Sequence, residues 1–360
     1  MFRHFNLVLA VNHACNLRCL YCYTGEKFSR PMPVDVAERA IDCAIHSLAP
    51  GSALELGFFG GEPLLEPELI LHSIEYARIV TACAGNSLQL SLTTNGTLAE
   101  GDAWRVMLLP DLDLTVSHDG LPAIHDRHRV YSDGRGSASQ VEATIRRLLQ
   151  AGKDFQVLMV VRPDTLEYLP EGITHLRAMG VRRVELSLDL WTEWNDADSP
   201  RLERVLGACA ELWRAALPDF QLSWFDEKAA GLARVPMTDS ARCGFGHQQV
   251  AVSPAGNLYP CERLMGADEE HNPMRLPGRV QELENFLAFA APPARSSPEC
   301  LECDLQHVCG TTCRCSNYVR TGDISRPDGL LCLVEQLCIR ETARVLGSAA
   351  HELVTLSTGG

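Results

Sequence analysis

The chain has 360 residues, enough for about two domains with a sizeable buried core, which excludes a peptide hormone or a small disulfide scaffold. Asp and Glu total 46 against 32 Lys and Arg, a net charge of −14, and no basic stripe is present, which excludes a nucleic-acid partner. With 46% apolar residues and no apolar run near the ~18 residues needed to span a bilayer, the expectation is a soluble cytoplasmic protein without membrane contact.

The N-terminal apolar run, Phe5 to Val11, contains Asn6 and is followed by no small-residue cleavage site, so it predicts a buried strand and not a signal peptide. Further strands are predicted at Leu54 to Phe59, Leu88 to Thr93, Leu112 to Ser117, Phe155 to Val161 and Val184 to Leu190. Helix-period segments alternate with them: Val34 to Leu48, Pro67 to Ala84, Leu98 to Leu109, Ser137 to Ala151, Thr165 to Met179 and Arg201 to Ala216. Six βα units are too few to close the usual eight-stranded barrel, so the expected class is α/β, a partial (β/α)6 TIM-like barrel. Reactive groups in such folds sit on loops at the strand C-termini. After about residue 235 cysteines become frequent, Gly and Pro interrupt the pattern, and periodicity returns only near Leu331 to Leu346. Ala291 to Pro298 has a linker composition.

Fifteen cysteines with no export signal, many two to five residues apart, point to metal binding. Directly after the first strand stands Cys15-Asn-Leu-Arg-Cys19-Leu-Tyr-Cys22. Three thiolates on one loop suit an iron–sulfur cluster with one iron left without a protein ligand. A zinc knuckle completed by a distant residue such as His13 is the alternative.

In this motif the chain resembles the radical S-adenosylmethionine (SAM) superfamily, and three more motifs in the right order carry the resemblance. Gly60-Gly61-Glu62-Pro63 follows the second strand, Thr93-Thr94-Asn95-Gly96 the third, and Ser117-His118-Asp119-Gly120 the fourth. The resemblance implies a [4Fe–4S] cluster on Cys15, Cys19 and Cys22 that chelates SAM. The expected SAM contacts are Tyr21, Gly60, Gly61, Glu62, Pro63, Thr94, Asn95, Ser117 and Asp119. The glycines would let backbone approach the ligand, and Glu62 would accept from its ammonium.

A second series, Cys243, Cys261, Cys300, Cys303, Cys309, Cys313 and Cys332, resembles the SPASM extension of that superfamily, a small iron–sulfur-organised domain with two auxiliary [4Fe–4S] clusters. By family pattern Cys300, Cys303, Cys309 and Cys332 hold the outer cluster, and Cys243, Cys261 and Cys313 the inner one. Gln249 occupies the position where sulfatase-maturing relatives place another cysteine, leaving Cys315, His247 or an open iron for the fourth ligand. The domains expected are 1–235 for the partial barrel, 236–345 for the SPASM region and 346–360 for a tail. Glu262 follows Cys261 where sulfatase maturases carry an Asp, which makes it a candidate general base, with pairing to Arg263 or Arg314 as the alternative. The run His125 to Arg129 is expected to be structural, and Cys43, Cys83, Cys209 and Cys338 are expected to be buried apolar residues on helices.

The resemblance implies an enzyme that generates a 5′-deoxyadenosyl radical and abstracts hydrogen from a ribosomally made peptide or protein side chain, oxidising or cross-linking it. Only 14 residues precede Cys15, so a fused N-terminal leader-binding domain is not expected, and the substrate would bind directly or on a separate carrier. A flavodoxin or ferredoxin-type reductant would supply electrons. The competing readings are a dehydrogenase of a small alcohol or sugar, and a non-catalytic iron–sulfur protein. Sulfatase maturases have Tyr two residues after the third cluster Cys, where this chain has Tyr23-Thr24, which counts against formylglycine formation.

Overall fold

The computed structural model describes residues 1–233, 244–289, 297–306, 308–310 and 313–347. Two compact units are built from interleaved segments: Met1–Ser117, His128–Phe155 and Arg242–Pro293 in the first, and His118–Arg127, Gln156–Ala241 and Ala294–Gly360 in the second.

In the first unit, β1 (Phe2–Asn12), β2 (Leu48–Gly60), β3 (Ser87–Thr94) and β4 (Leu112–Ser117) run parallel in that order. They alternate with helices α1 (Val34–Ser47), α2 (Pro67–Cys83) and α3 (Gly101–Met107). After residue 244, β8 (Gln249–Val252) adds parallel to the free edge of β1, and β9 (Asn257–Tyr259) and β10 (Leu276–Arg279) continue antiparallel. The sequence reading did not see this addition, because four- and three-residue strands among glycines leave almost no periodic signal.

Alternation along these strands divides the sheet into two chemical faces. Phe5, Leu7, Leu9, Val11, Leu54, Leu56, Phe58, Leu90, Leu92, Leu112, Leu114 and Val116 are buried on one. The other face is mixed: Val8, Ala10 and Ala251 pack with Tyr259 and Met265 in a buried apolar cluster, with Phe59 against it. Register aligns Gln249, Asn6, Glu55 and Gln89 in one polar row across four strands, and Ala251, Val8, Gly57, Ser91 and Asp113 in the next.

The second unit holds β5 (Phe155–Val161), β6 (Arg183–Leu188) and β7 (Gln221–Leu222) in parallel, after α4 (Pro122–His128) and α5 (Ala138–Gln150), which fall at the unit boundary and in the first unit respectively. Helices α6 (Leu169–Met179), α7 (Asp198–Ala216) and α8 (Ser223–Leu232) follow, then the short α9 (Pro298–Leu301), α10 (Arg314–Thr321) and α11 (Gly329–Leu346). Most expected elements agree with those observed within a few residues; β2 begins at Leu48 instead of Leu54, α4, β7 and α8 were not expected, and two boundary differences are informative. Strand β6 stops before Asp189, whose carboxylate accepts from Trp191 N (3.0 Å) and Thr192 N (3.3 Å) and turns the chain. The third helix begins at Gly101, not Leu98, because the Asn95 side chain holds Thr97 N in a turn at 2.9 Å. Most of the linker-like stretch 291–298 lies outside the described residues. Among those described, no helix is long and apolar enough to cross a membrane.

Candidate active site

Three loops of the first unit meet where β1, β2 and β3 end. The loop leaving β1 carries Cys15, Cys19 and Cys22, and it is held by Arg18 N donating to Val130 O (2.7 Å) and Leu20 N to His128 O (3.0 Å). Tyr21 lies against the Arg129 guanidinium, 5.2 Å from the ring centroid. The loop leaving β2 runs against the first one: Gly61 N donates to Asn12 O (2.8 Å) and Glu62 N to Ala14 O (2.9 Å). Gly60 has φ of +140°, and a Cβ on either glycine would collide with backbone of Asn12, His13 or Ala14. These two glycines are therefore required by contact between loops, whatever ligand they also admit. Pro63 opens a single 3-10 turn, Pro63–Leu65.

Glu62 is fully buried and ties the second loop to the third. Its carboxylate accepts from Leu64 N (3.1 Å), Thr94 Oγ1 (2.7 Å) and Asn95 N (2.7 Å). Burial pushes its pKa up from 4.5 to about 7, against those three hydrogen bonds. Asn95 in turn reaches Asn16 Oδ1 at 2.8 Å and Cys15 Sγ at 3.7 Å. Ser117 is buried at the end of β4. In the second unit Asp119 is also buried, accepting from Val160 N at 3.2 Å. His125 receives Asp119 N at 3.3 Å and lies against His118, centroids 4.3 Å apart.

The thiols differ electrostatically. Burial raises Cys15, and the Glu62 charge raises it further. Burial also acts on Cys22, but the Lys27 ammonium 2.9 Å from Sγ, with Thr24 Oγ1 at 3.3 Å, outweighs it and lowers the pKa. Lys27 was not singled out by sequence reasoning; a cation five residues after the last cysteine was the available signal. His13, the candidate fourth zinc ligand, stacks on Phe28 with centroids 4.6 Å apart. Among the described residues, no three His, Cys, Asp or Glu side chains are arranged about a single ion.

Beyond β9, Cys261 and Glu262 lie close to this loop. Tyr23 stacks on Phe59 and its pKa is raised by burial, with Arg263 opposing and Glu262, Cys261 and Cys22 adding to the rise. Gln249 Nε2 donates to Glu262 Oε2 at 3.4 Å, and the Glu262 charge is felt by Glu55 in the polar row. Gln249, read from sequence only as a missing cysteine, thus partners the candidate base. His247 meets Phe2 edge-on.

The second unit gathers the other cysteines. Burial raises the Cys332 thiol, and the charges of Cys309, Cys300, Asp328 and Cys303 raise it further, which places the three other cysteines near it. Cys313 and Cys315 have their sulfurs 3.3 Å apart. Cys243 lies outside the described residues. Cys43, Cys209 and Cys338 are buried as expected, whereas Cys83, the last residue of α2, is exposed.

The family model for the radical SAM superfamily matches residues 9–176, and a GTP 3′,8-cyclase of Xanthomonas campestris is 30% identical over 278 residues, 71% of this chain and 78% of the cyclase. The chain belongs to the radical SAM superfamily. A serine-type anaerobic sulfatase-maturating enzyme of Klebsiella aerogenes is 27% identical over 339 residues, 85% of this chain and 78% of that enzyme. An uncharacterised protein of Methanocaldococcus jannaschii is 31% identical over 187 residues; the match covers 51% of this chain and 62% of that protein, less than two thirds of its length. The fold is similar to that of native anSMEcpe with bound AdoMet and Cp18Cys peptide, with a TM-score of 0.78 at 18% identity over 98% of this chain and 99% of the other.

Membership in the radical SAM superfamily implies a [4Fe–4S] cluster and SAM, and the first loop fits that group. Cys22 receives Lys27 Nζ and Cys15 receives Leu17 N and Asn95 Nδ2, donors that favour thiolates, and metal binding itself drives the raised Cys15 thiol to ionise. A multi-iron group distributes its ligands over several metals and needs no single-ion shell.

Proposed function

We propose that this radical SAM enzyme modifies a side chain of a ribosomally made peptide or protein by hydrogen abstraction, oxidising or cross-linking it. The observation that carries the reading is the polar row Gln249, Asn6, Glu55 and Gln89, whose Gln249 donates to Glu262 in the turn after Cys261. Such a row, beside the apolar cluster of Val8, Ala10 and Ala251, offers hydrogen-bond partners to amide and side-chain groups. The similarity to sulfatase maturases, and to a fold seen with bound peptide, points the same way.

In this proposal Cys15, Cys19 and Cys22 hold the SAM-binding cluster, which supplies the hydrogen-abstracting radical. Gly60, Gly61, Glu62, Pro63, Thr94, Asn95, Ser117, Asp119 and Tyr21 hold SAM. The Glu62 carboxylate, already engaged by Leu64, Thr94 and Asn95, acts chiefly by fixing the β2 and β3 loops against each other. Glu262 takes a proton from the substrate, with Gln249 orienting it and Tyr23 closing the site beside it. Cys243, Cys261, Cys300, Cys303, Cys309, Cys313 and Cys332 hold two auxiliary clusters, Cys300, Cys303, Cys309 and Cys332 forming the outer set. A flavodoxin or ferredoxin-type protein is the reductant in this scheme.

The similarity to a GTP cyclase favours a second reading, action on a small molecule. The test is to incubate reduced, iron-reconstituted enzyme and SAM with peptides containing Ser or Cys, and separately with nucleotides and sugars. The proposal expects peptide-dependent 5′-deoxyadenosine and a peptide mass lower by two hydrogens. Stimulation by a nucleotide or sugar, with no peptide altered, would replace it with the second reading.

A further inference from the structure

Lys228 on α8 is a buried cation far in sequence from every motif, with only 2% of its surface exposed. Its ammonium lies 2.8 Å from Glu335 Oε2 on α11. The same oxygen accepts the backbone N–H of Gly310, the residue after Cys309, at 2.6 Å. Glu335 stands three residues after Cys332, one helical turn further along α11, on the same face. One carboxylate thus ties the loop bearing Cys309 to the helix bearing Cys332, and a buried lysine balances its charge. The loop is fitted closely to α8: a Cβ on Gly231 would meet Val308 Cγ1 at 3.0 Å, and one on Gly310 would meet Lys228 Nζ at 2.9 Å.

Burying a charge pair costs several kcal/mol per ion before the attraction repays it, and a hydrophobic pair would join α8 to α11 as well. What apolar side chains cannot do is accept the Gly310 N–H. We propose that Glu335 and Lys228 are positioning residues for the outer iron–sulfur cluster: Glu335 holds Cys309 and Cys332 in ligating register, and the pair's two charges set the cluster's reduction potential. This rests on the auxiliary-cluster reading above.

The roles separate by substitution. Glu335→Gln keeps an oxygen for Gly310 N–H but removes the negative charge, so it should retain iron and raise the potential. Lys228→Met leaves the carboxylate unbalanced and should lower the potential, because cluster potentials follow nearby charge. Glu335→Ala loses both functions and should bind about four fewer irons, the content of one cubane. Lys228→Arg, which keeps the cation, should retain iron and hold the potential at the parent value. The measurements are iron per chain and redox titration followed by electron paramagnetic resonance, on full-length protein reconstituted without oxygen, with circular dichroism as the folding control. Iron in the parent that falls on Cys303→Ala but is untouched by Glu335→Ala overturns the clamp alone, as do potential shifts of the same sign in Glu335→Gln and Lys228→Met. Parent iron unaffected by Cys303→Ala overturns the auxiliary-cluster reading, and the clamp with it.

Discussion

The Cys15–Cys22 loop and the Cys300–Cys332 group solve the same problem, holding several thiols near one another, by different means. The first loop hangs from a parallel sheet, is fastened by backbone bonds to residues 128 and 130, and has its thiols supplied with donors from neighbouring loops. The second is strung between a four-residue helix and the start of α11, and its clearest internal fastening is the Glu335 carboxylate. A sheet supplies cooperative hydrogen bonding and apolar burial without metal. A loop region with few buried apolar side chains must take folding free energy from its ligands.

The largest effect that could break this comparison is on activity. Cys22→Ala should abolish SAM cleavage and remove about four irons while leaving the fold intact, as circular dichroism would show. A variant that loses the fold would mean that the first loop is metal-organised too. Next, Glu262→Gln should lower product formation by about 100-fold or more, the scale of a lost general base, yet leave 5′-deoxyadenosine measurable by chromatography. Equal loss of both products would show that Glu262 supports SAM chemistry and not the substrate. A third test sharpens the structural contrast: chelating iron should expose residues 297–335 to limited proteolysis well before residues 1–117. Simultaneous cleavage in both would remove the distinction.

Much of the α/β frame was legible, because helices such as α1 and strands such as β4 and β5 carry strong periodicities and are bounded by Pro, Gly or Asp. The three-cysteine loop stood out by its spacing, which left iron–sulfur and zinc both open until the motifs after β2, β3 and β4 carried the resemblance. What escaped was pairing at a distance. Nothing in the local sequence says that Gln249 aligns with Asn6, or that Lys228 finds Glu335 across more than 100 residues. Such contacts depend on register and helix packing, which periodicity does not encode. The glycines of Gly60-Gly61 were read as room for a ligand, whereas the fold uses that room first for the backbone of residues 12–14.

The smallest expected effect concerns the link between the β2 and β3 loops. Glu62 has its pKa raised from 4.5 to about 7 by burial. Between those values the folded chain binds a proton that the unfolded chain has released. Its contribution to stability is therefore fully present below about pH 4.5 and is lost as pH rises through 7, a change on the order of 3 kcal/mol for this buried group. Glu62→Gln, permanently neutral, removes this titration, but its amide nitrogen faces a donor that the carboxylate accepted from. The variant should thus be less stable than the parent near pH 5 and show a flatter pH dependence from there to about pH 8, as urea unfolding would measure. A cationic ammonium held beside Glu62 would reverse the balance by favouring the carboxylate. SAM binding near pH 6 would then release a proton and tighten as pH rises, a linkage absent from Glu62→Gln and readable by calorimetry in buffers of different ionisation enthalpy. If the parent binds SAM with no proton release and the variant binds equally well, Glu62 is a loop fastener with no electrostatic part in the SAM site.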